Sequence, residues 1–310
     1  MAASLLFALN VIGPVLMVLV TGYLLMRVNL LTAGFVDVGS KLVFTVTLPA
    51  LLFLSISQAN FQKLADPLLI GIGLGSTLLF FGLLFAVAGI LVNPRHARGV
   101  VIQGGYRANM GIIGLALCIN AFGDKGLALG AVYLGCVTVL FNVLSVYILS
   151  HYQPGNVSMV RHLLVLATNP LILSIVVAIP FSYLKIPLPE LLVTSTDYLA
   201  QLTLPLALLC TGAALEFRSL GADTRNIAVA VIAKCVLYPL IVTGAVYVAG
   251  YRGNTLGVVM LMSLAPTAAA TYVMAKQLGG DHRLAASIIA ISTLVSLPVT
   301  ALALTLLSDA

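Results

Sequence analysis

The sequence predicts an all-α membrane protein of ten transmembrane helices, folded as a 5+5 inverted repeat with two broken helices. Three observations lead there. Hydrophobic residues make up 61% of the 310 positions and charged residues only 8%, with a mean hydropathy of +1.15, well outside the range of a soluble domain. Two apolar stretches, Gln103 to Asp124 and Ser263 to Asp281, contain residues that break helices. The two halves also correspond at a nearly constant offset: Pro14 with Pro170, Pro49 with Pro205 and Asp124 with Asp281 lie 156, 156 and 157 positions apart.

The first span runs from about Leu5 to Met26, contains Pro14, and lacks the basic leader and small-residue cleavage site of a signal peptide, so a retained helix is expected. The second centres on Lys41 to Ser57 around Thr47-Leu48-Pro49, and the third covers Pro67 to Val92. Within the third, Gly71 to Ser76 has neither the spacing nor the strand context of a dinucleotide fingerprint and reads as close helix packing. The fourth is the stretch with Gly104, Gly105, Arg107 and Asn109, and the fifth runs from about Lys125 to Leu149. Five more follow: Leu163 to Leu184, Leu191 to Leu215, Ile227 to Ala249, Leu256 to Leu278 and Leu284 to Leu307. Spans of roughly 20 to 27 residues suit a bilayer, and they leave no room here for a soluble domain.

Residues 1–150 form the first repeat and 163–310 the second, joined by the polar connection 151–162. Each half holds five spans, an odd number, so the second enters the membrane from the opposite side and the repeat is inverted. Lysine and arginine set the orientation. With the amino terminus outside, Arg27, Lys41, Arg95, Arg98, Arg161, Arg218, Arg225, Lys276 and Arg283 fall at inner ends, against Lys63, Lys125, Lys185 and Arg252 at outer ends. Both termini are therefore expected on the non-cytoplasmic side of the cell inner (plasma) membrane. The sequon at Asn156 then lies in the cytoplasm, where it is not used.

The same bias accounts for the net charge of +6, because basic residues spread thinly between apolar runs make no nucleic-acid patch. Cys118, Cys136, Cys210 and Cys235 are unclustered and read as small buried hydrophobes; the four histidines fall in short polar connections. No nucleophile set, paired carboxylate, phosphate loop or metal spacing is present, so no cofactor, metal or enzymatic activity is expected.

Four motifs, TLPALLFLS in the second span, RANMGIIGLALCINAFGD in the fourth, TLPLALLCTGAALEF in the seventh and APTAAATYVMAKQLGGD in the ninth, resemble the auxin efflux carrier family. This family holds the plant PIN-FORMED auxin exporters and bacterial permeases assigned to malonate or malate. The resemblance covers the chain from end to end. It implies a fold similar to bile-acid sodium symporters, in which the fourth and ninth helices are unwound and cross at mid-membrane. It further implies a scaffold of the first, second, sixth and seventh helices and a transport unit of the others. Where many relatives carry a proline after the fourth-helix asparagine, this chain has Leu115-Ala116, so its break rests on glycines and Asn109.

The candidate residues follow from the two breaks. Asn109 and Pro266 mark the sites where half-helices would present free N–H groups to an anion, and Gln103, Thr267 and Thr271 add polar groups beside them. A charge near mid-membrane costs about 2.5 to 3.5 kcal/mol even on lenient insertion scales. Two readings therefore stand for Arg107: a fork for a substrate carboxylate, or a structural role in which it caps unwound carbonyls, pairs with Asp197 or lies shallow enough to reach the inner surface. Asp197 is the one carboxylate placed for proton coupling. Lys234 is its partner, a counter-charge for substrate, or a chain that reaches out of the membrane.

The expected function is a secondary transporter of small organic anions working by alternating access in the lipid bilayer, driven by protons or membrane potential. A sodium-coupled symporter is the nearest rival, and an intramembrane enzyme or receptor is the rival of another class. Whether the chain assembles as a homodimer is left open.

Overall fold

A computed structural model describes residues 2–59, 65–152, 170–215 and 223–308. Most of the central connection with Asn156, the start of the sixth expected span, and Lys63, Arg161, Glu216 and Arg218 lie outside the described residues. Within them the chain is helical, with no strand and a single isolated β-bridge. The helices are α1 (Ala2–Arg27), α2 (Ala33–Leu42), α3 (Leu48–Ser57), α4 (Pro67–Leu91), α5 (Arg98–Tyr106), α6 (Leu115–Tyr152) and α7 (Pro170–Leu184). They continue as α8 (Glu190–Ala213), α9 (Thr224–Ile232), α10 (Tyr238–Val248), α11 (Gly253–Leu264), α12 (Ala270–Gln277) and α13 (His282–Ser308). Seven continuous helical stretches among them are long and apolar enough to cross a membrane, and α7 and α11 are shorter apolar helices. This is a multi-pass helical membrane protein.

The interruptions have local causes. Proline cannot donate to the carbonyl four residues back, and its ring crowds that carbonyl. The chain relieves this with π-helical turns, Val43–Thr47 before Pro49 and Ala233–Leu237 before Pro239, which join α2 to α3 and α9 to α10. Within α6, Gly123 adopts φ 60° and ψ −151°, so the helix turns there, between the fourth and fifth expected spans. Gly279, 156 positions on, also has positive φ (75°) just after α12. Both precede the aspartates matched in the sequence, Asp124 and Asp281.

Helix ends are closed by side chains. Asp66 accepts the N–H groups of Leu68 and Leu69 at the start of α4. At its other end Arg98 donates to the carbonyls of Gly89 and Val92, both at 3.0 Å, where the helix dipole favours a cation.

Two groups of helices can be followed, joined through α1, which also packs on α13 and α6. α1 lies along α8, and α3 packs between α7 and α8. The α1–α8 contact needs glycine, since a Cβ on Gly212 would stand 2.0 Å from the Leu19 carbonyl oxygen and one on Gly22 would stand 2.2 Å from that of Leu209. Small residues allow this backbone approach in a membrane, where tail-like side chains gain nothing by burial alone. In the second group, α5 packs on α6 and α9, α11 on α6 and α10, and α12 on α13.

Candidate functional site

Two breaks meet in the middle of the second group. Between α5 and the π-turn Met110–Gly114, Arg107 is extended (φ −75°, ψ 95°) and Asn109 leaves helical geometry (ψ 59°). Between α11 and α12, Ala265 is pushed to φ −51° and ψ 138°, as expected for the residue before a proline. The two extended pieces pair antiparallel at Ala108 and Thr267. The Asn109 N–H donates to the Pro266 carbonyl at 2.7 Å, and the Ala268 N–H donates to the Arg107 carbonyl at 2.9 Å. Each break thus satisfies backbone groups that the other leaves free, which is how non-helical chain persists at membrane depth.

Thr267 clamps the crossing from behind. Its hydroxyl donates to the Gly104 carbonyl at 2.8 Å, and its N–H donates to Ser292 Oγ on α13 at 3.1 Å. Gln103 and Thr271 are fully buried beside it, with Gln103 Nε2 3.6 Å from Met274 Sδ. Gln103 Oε1 and Thr271 Oγ1 have no hydrogen-bond partner among the described residues.

On its other side the crossing forms the floor of a cavity of about 1040 Å³. Arg107–Asn109 and Ala268–Ala270 line this floor; Asp37, Ser40 and Lys41 of α2 face it, with Thr138 and Asn142 of α6. The cavity reaches Met26 at the end of α1, Ala33 at the start of α2, Leu215 just past α8 and Gln277 at the end of α12. Asn109 lines it with a side chain that has no hydrogen-bond partner among the described residues. The Met110–Gly114 turn and α12 also start at this floor; at α12 the Thr271 and Tyr272 N–H groups already donate to the Ala268 and Ala269 carbonyls, at 2.9 and 3.1 Å, which leaves the N–H groups of Ala269 and Ala270 as its free donors among the described residues.

Arg107 is 6% exposed and is held by α6. Nη1 donates to the Phe141 carbonyl at 3.2 Å and Ser145 Oγ at 2.8 Å, and Nη2 donates to Asn142 Oδ1 at 2.7 Å. Tyr106 joins the same network through Ser145 Oγ at 2.9 Å. All these acceptors are neutral. A guanidinium has five N–H donors, so three bonds leave two: one on Nη2, and the buried Nε, which has no partner among the described residues.

Of the eight candidates Arg107 and Asn109 line the cavity; Gln103, Pro266, Thr267 and Thr271 are buried at the crossing and do not line it, and Asp197 and Lys234 lie apart from both. Asp197 is half-buried on α8 and accepts from Gln201 Nε2 at 2.5 Å. Lys234 is fully buried in the π-turn between α9 and α10, where Nζ donates to the Ser263 carbonyl at 2.6 Å. The structure brings together Arg107, Asn109, Pro266 and Thr267, with Gln103 and Thr271 adjoining; it does not bring Asp197 and Lys234 to each other. Sequence reasoning missed Asn142 and Ser145, although they lie three positions apart on one face of an otherwise apolar helix. Lys41, which the orientation argument places at an inner helix end, is exposed and lines the cavity wall.

A buried crossing of two broken helices, at the floor of a cavity that extends to the helix ends, defines a membrane transport protein. A family profile described as "Membrane transport protein" matches residues 7–304, and the chain belongs to this family, the auxin efflux carrier family. It is 29% identical over 262 residues to a provisionally named malonate transporter of Rhizobium meliloti (strain 1021), covering 81% of this chain and 80% of that one. It is 25% identical over 289 residues to an uncharacterized transporter of Methanothermobacter thermautotrophicus, covering 91% and 93%. A third relative, an uncharacterized transporter of Methanocaldococcus jannaschii, is 24% identical over 306 residues, covering 95% and 97%.

Proposed function

We propose that this chain is a secondary transporter of small organic anions and that the crossing is its substrate site. The observation that carries this reading is the set of donors at the cavity floor: the free Asn109 amide, the one Arg107 Nη2 hydrogen that α6 does not take up, and the two helix starts. Such a floor favours a carboxylate, through oriented N–H groups and helix dipoles together with the arginine charge. A small carboxylate does not fill about 1040 Å³, so the remaining volume is the path by which it enters.

Ten spans in two inverted repeats, 1–150 and 163–310, accommodate the helices. α2 with α3 and α9 with α10 each make one span, α6 supplies two halves around Gly123, and α11 with α12 makes the broken ninth. The α1, α3, α7 and α8 group is the scaffold, and the crossing group moves against it in an elevator motion that presents the same floor to either side of the membrane. With both termini outside the cytoplasm, the cavity described here opens inward. Asp37 and Lys41, one turn apart on α2, place opposite charges along its wall.

Membrane potential drives the anion, at about 2.3 kcal/mol per charge per 100 mV, or a proton does so through Asp197. A malonate-named relative makes dicarboxylates the first substrates to test. The experiment is a thermal-shift screen of purified protein against monocarboxylates, dicarboxylates including malonate, and indole acids, followed by flux in liposomes. A ligand of the folded state raises its apparent stability. We expect hits among the carboxylates that exchange saturably across the bilayer; no shift and no flux with any of them would overturn the proposal.

A further inference from the structure

Lys234 is a buried charge that the cavity does not use. Its side chain is 0% exposed, so it does not reach the membrane surface. Its partners among the described residues are the Ser263 carbonyl at 2.6 Å and the face of the Tyr238 ring, with Nζ 4.8 Å from the centroid; neither is a carboxylate. The Ser263 carbonyl is free for a definite reason. In a continued helix it would accept from the N–H of Thr267, but that N–H donates to Ser292 Oγ instead. The preceding carbonyl, of Met262, faces Pro266, which has no N–H. The carboxyl end of α11 therefore carries unpaired carbonyls and the negative end of the helix dipole inside the protein, and the ammonium of Lys234 stands against it with an aromatic face alongside.

We propose that Lys234 is a resident cation that positions the crossing: it fixes the end of α11, and through it the Pro266 carbonyl that Asn109 pairs with. Lys234 is a positioning residue, acting through α11 and touching no substrate. The place where a soluble cation would settle on free helix-end carbonyls is filled by the protein's own side chain. The functional weight of this inference rests on the reading of the crossing as the substrate site.

Hydrogen exchange of the purified full chain, read by mass spectrometry over residues 103–110 and 263–270, tests it without a substrate. In Lys234→Met the amides of Asn109 and Ala268 are expected to exchange about tenfold faster, the scale of losing one charge-assisted hydrogen bond, while α1 and α8 keep their protection. Lys234→Arg keeps wild-type exchange. In Lys234→Ala, added propylammonium restores protection at the crossing, and tetramethylammonium, which has no N–H, does not. Unchanged exchange at the crossing in Lys234→Met, or equal rescue by both amines, overturns the proposal. Should Lys234→Met fail to fold, Lys234→Ala purified in propylammonium carries the test. Loss of crossing protection alone on removing the amine supports the proposal, and simultaneous loss in α1 and α8 overturns it. Malonate flux of the wild type is measured in parallel: its absence counts against the transport reading alone and leaves the exchange result to decide the role of Lys234.

Discussion

Asn109 and Arg107 stand two positions apart in the same helix break, and their side chains answer to different neighbours. Asn109 faces the cavity without a protein partner, so Asn109→Leu should insert and fold while carboxylate flux falls by about tenfold or more, as for a lost hydrogen bond to a charged group. Pro266→Leu should act similarly by restoring an N–H that lets α11 continue; flux and melting temperature measured together separate site loss from misfolding. Arg107 is tied to α6 by three bonds, and lysine cannot span those acceptors. Arg107→Lys should therefore lower stability by about 1 to 3 kcal/mol, read as an earlier melting transition even without ligand. Asn109, Pro266 and Arg107 were legible in the sequence because polar and helix-breaking residues are costly in an apolar run. Their partners were not, because nothing local ties Arg107 to Asn142, or Thr267 to Gly104.

At the scale of elements, hydropathy reports which segments are apolar but not where a helix runs on. It marks the third, eighth and tenth spans to within a few residues, and its boundary between the fourth and fifth spans, at Asp124 and Lys125, falls beside Gly123, where α6 turns. It gives no sign that Pro49 and Pro239 are accommodated by π-turns. The α1–α8 contact was equally hidden, since Gly22 and Gly212 look like any other glycines until the two backbones meet. A leucine at Gly212 would place its Cβ 2.0 Å from the Leu19 carbonyl oxygen and force α1 off α8. Overpacking of this kind typically costs about 1 to 3 kcal/mol, more where backbone rather than a side chain must move. Gly212→Leu should reduce the yield of folded protein in a detergent melting assay, and Gly82→Leu, where no atom lies within 4 Å, should not.

For the whole molecule, the proposed orientation follows from basic residues at helix ends and is open to direct labelling. In a background without the four native cysteines, Cys at His151, the end of α6, should react only with membrane-permeant maleimides in intact cells. Cys at Glu190, the start of α8, should react with impermeant ones, and the reverse pattern would invert the topology. Coupling belongs to this scale as well. Of the polar side chains at the crossing, Asn109, Gln103, Thr267 and Thr271 are neutral and Arg107 is a cation, so none of them offsets the charge of a sodium ion. A sodium gradient at fixed pH and clamped potential should leave flux unchanged; a severalfold stimulation would place sodium in the cycle. If flux depends on protons instead, Asp197→Asn should remove that dependence while exchange persists.

The central claim, that a carboxylate is carried by the crossing, is tested most directly by counterflow. Proteoliposomes loaded with unlabelled malonate and diluted into trace labelled malonate should show a transient, saturable overshoot of label for the wild type and none for Asn109→Leu at equal reconstitution. A linear, non-saturating entry without overshoot, or an Asn109→Leu protein that overshoots like the wild type, would contradict the account.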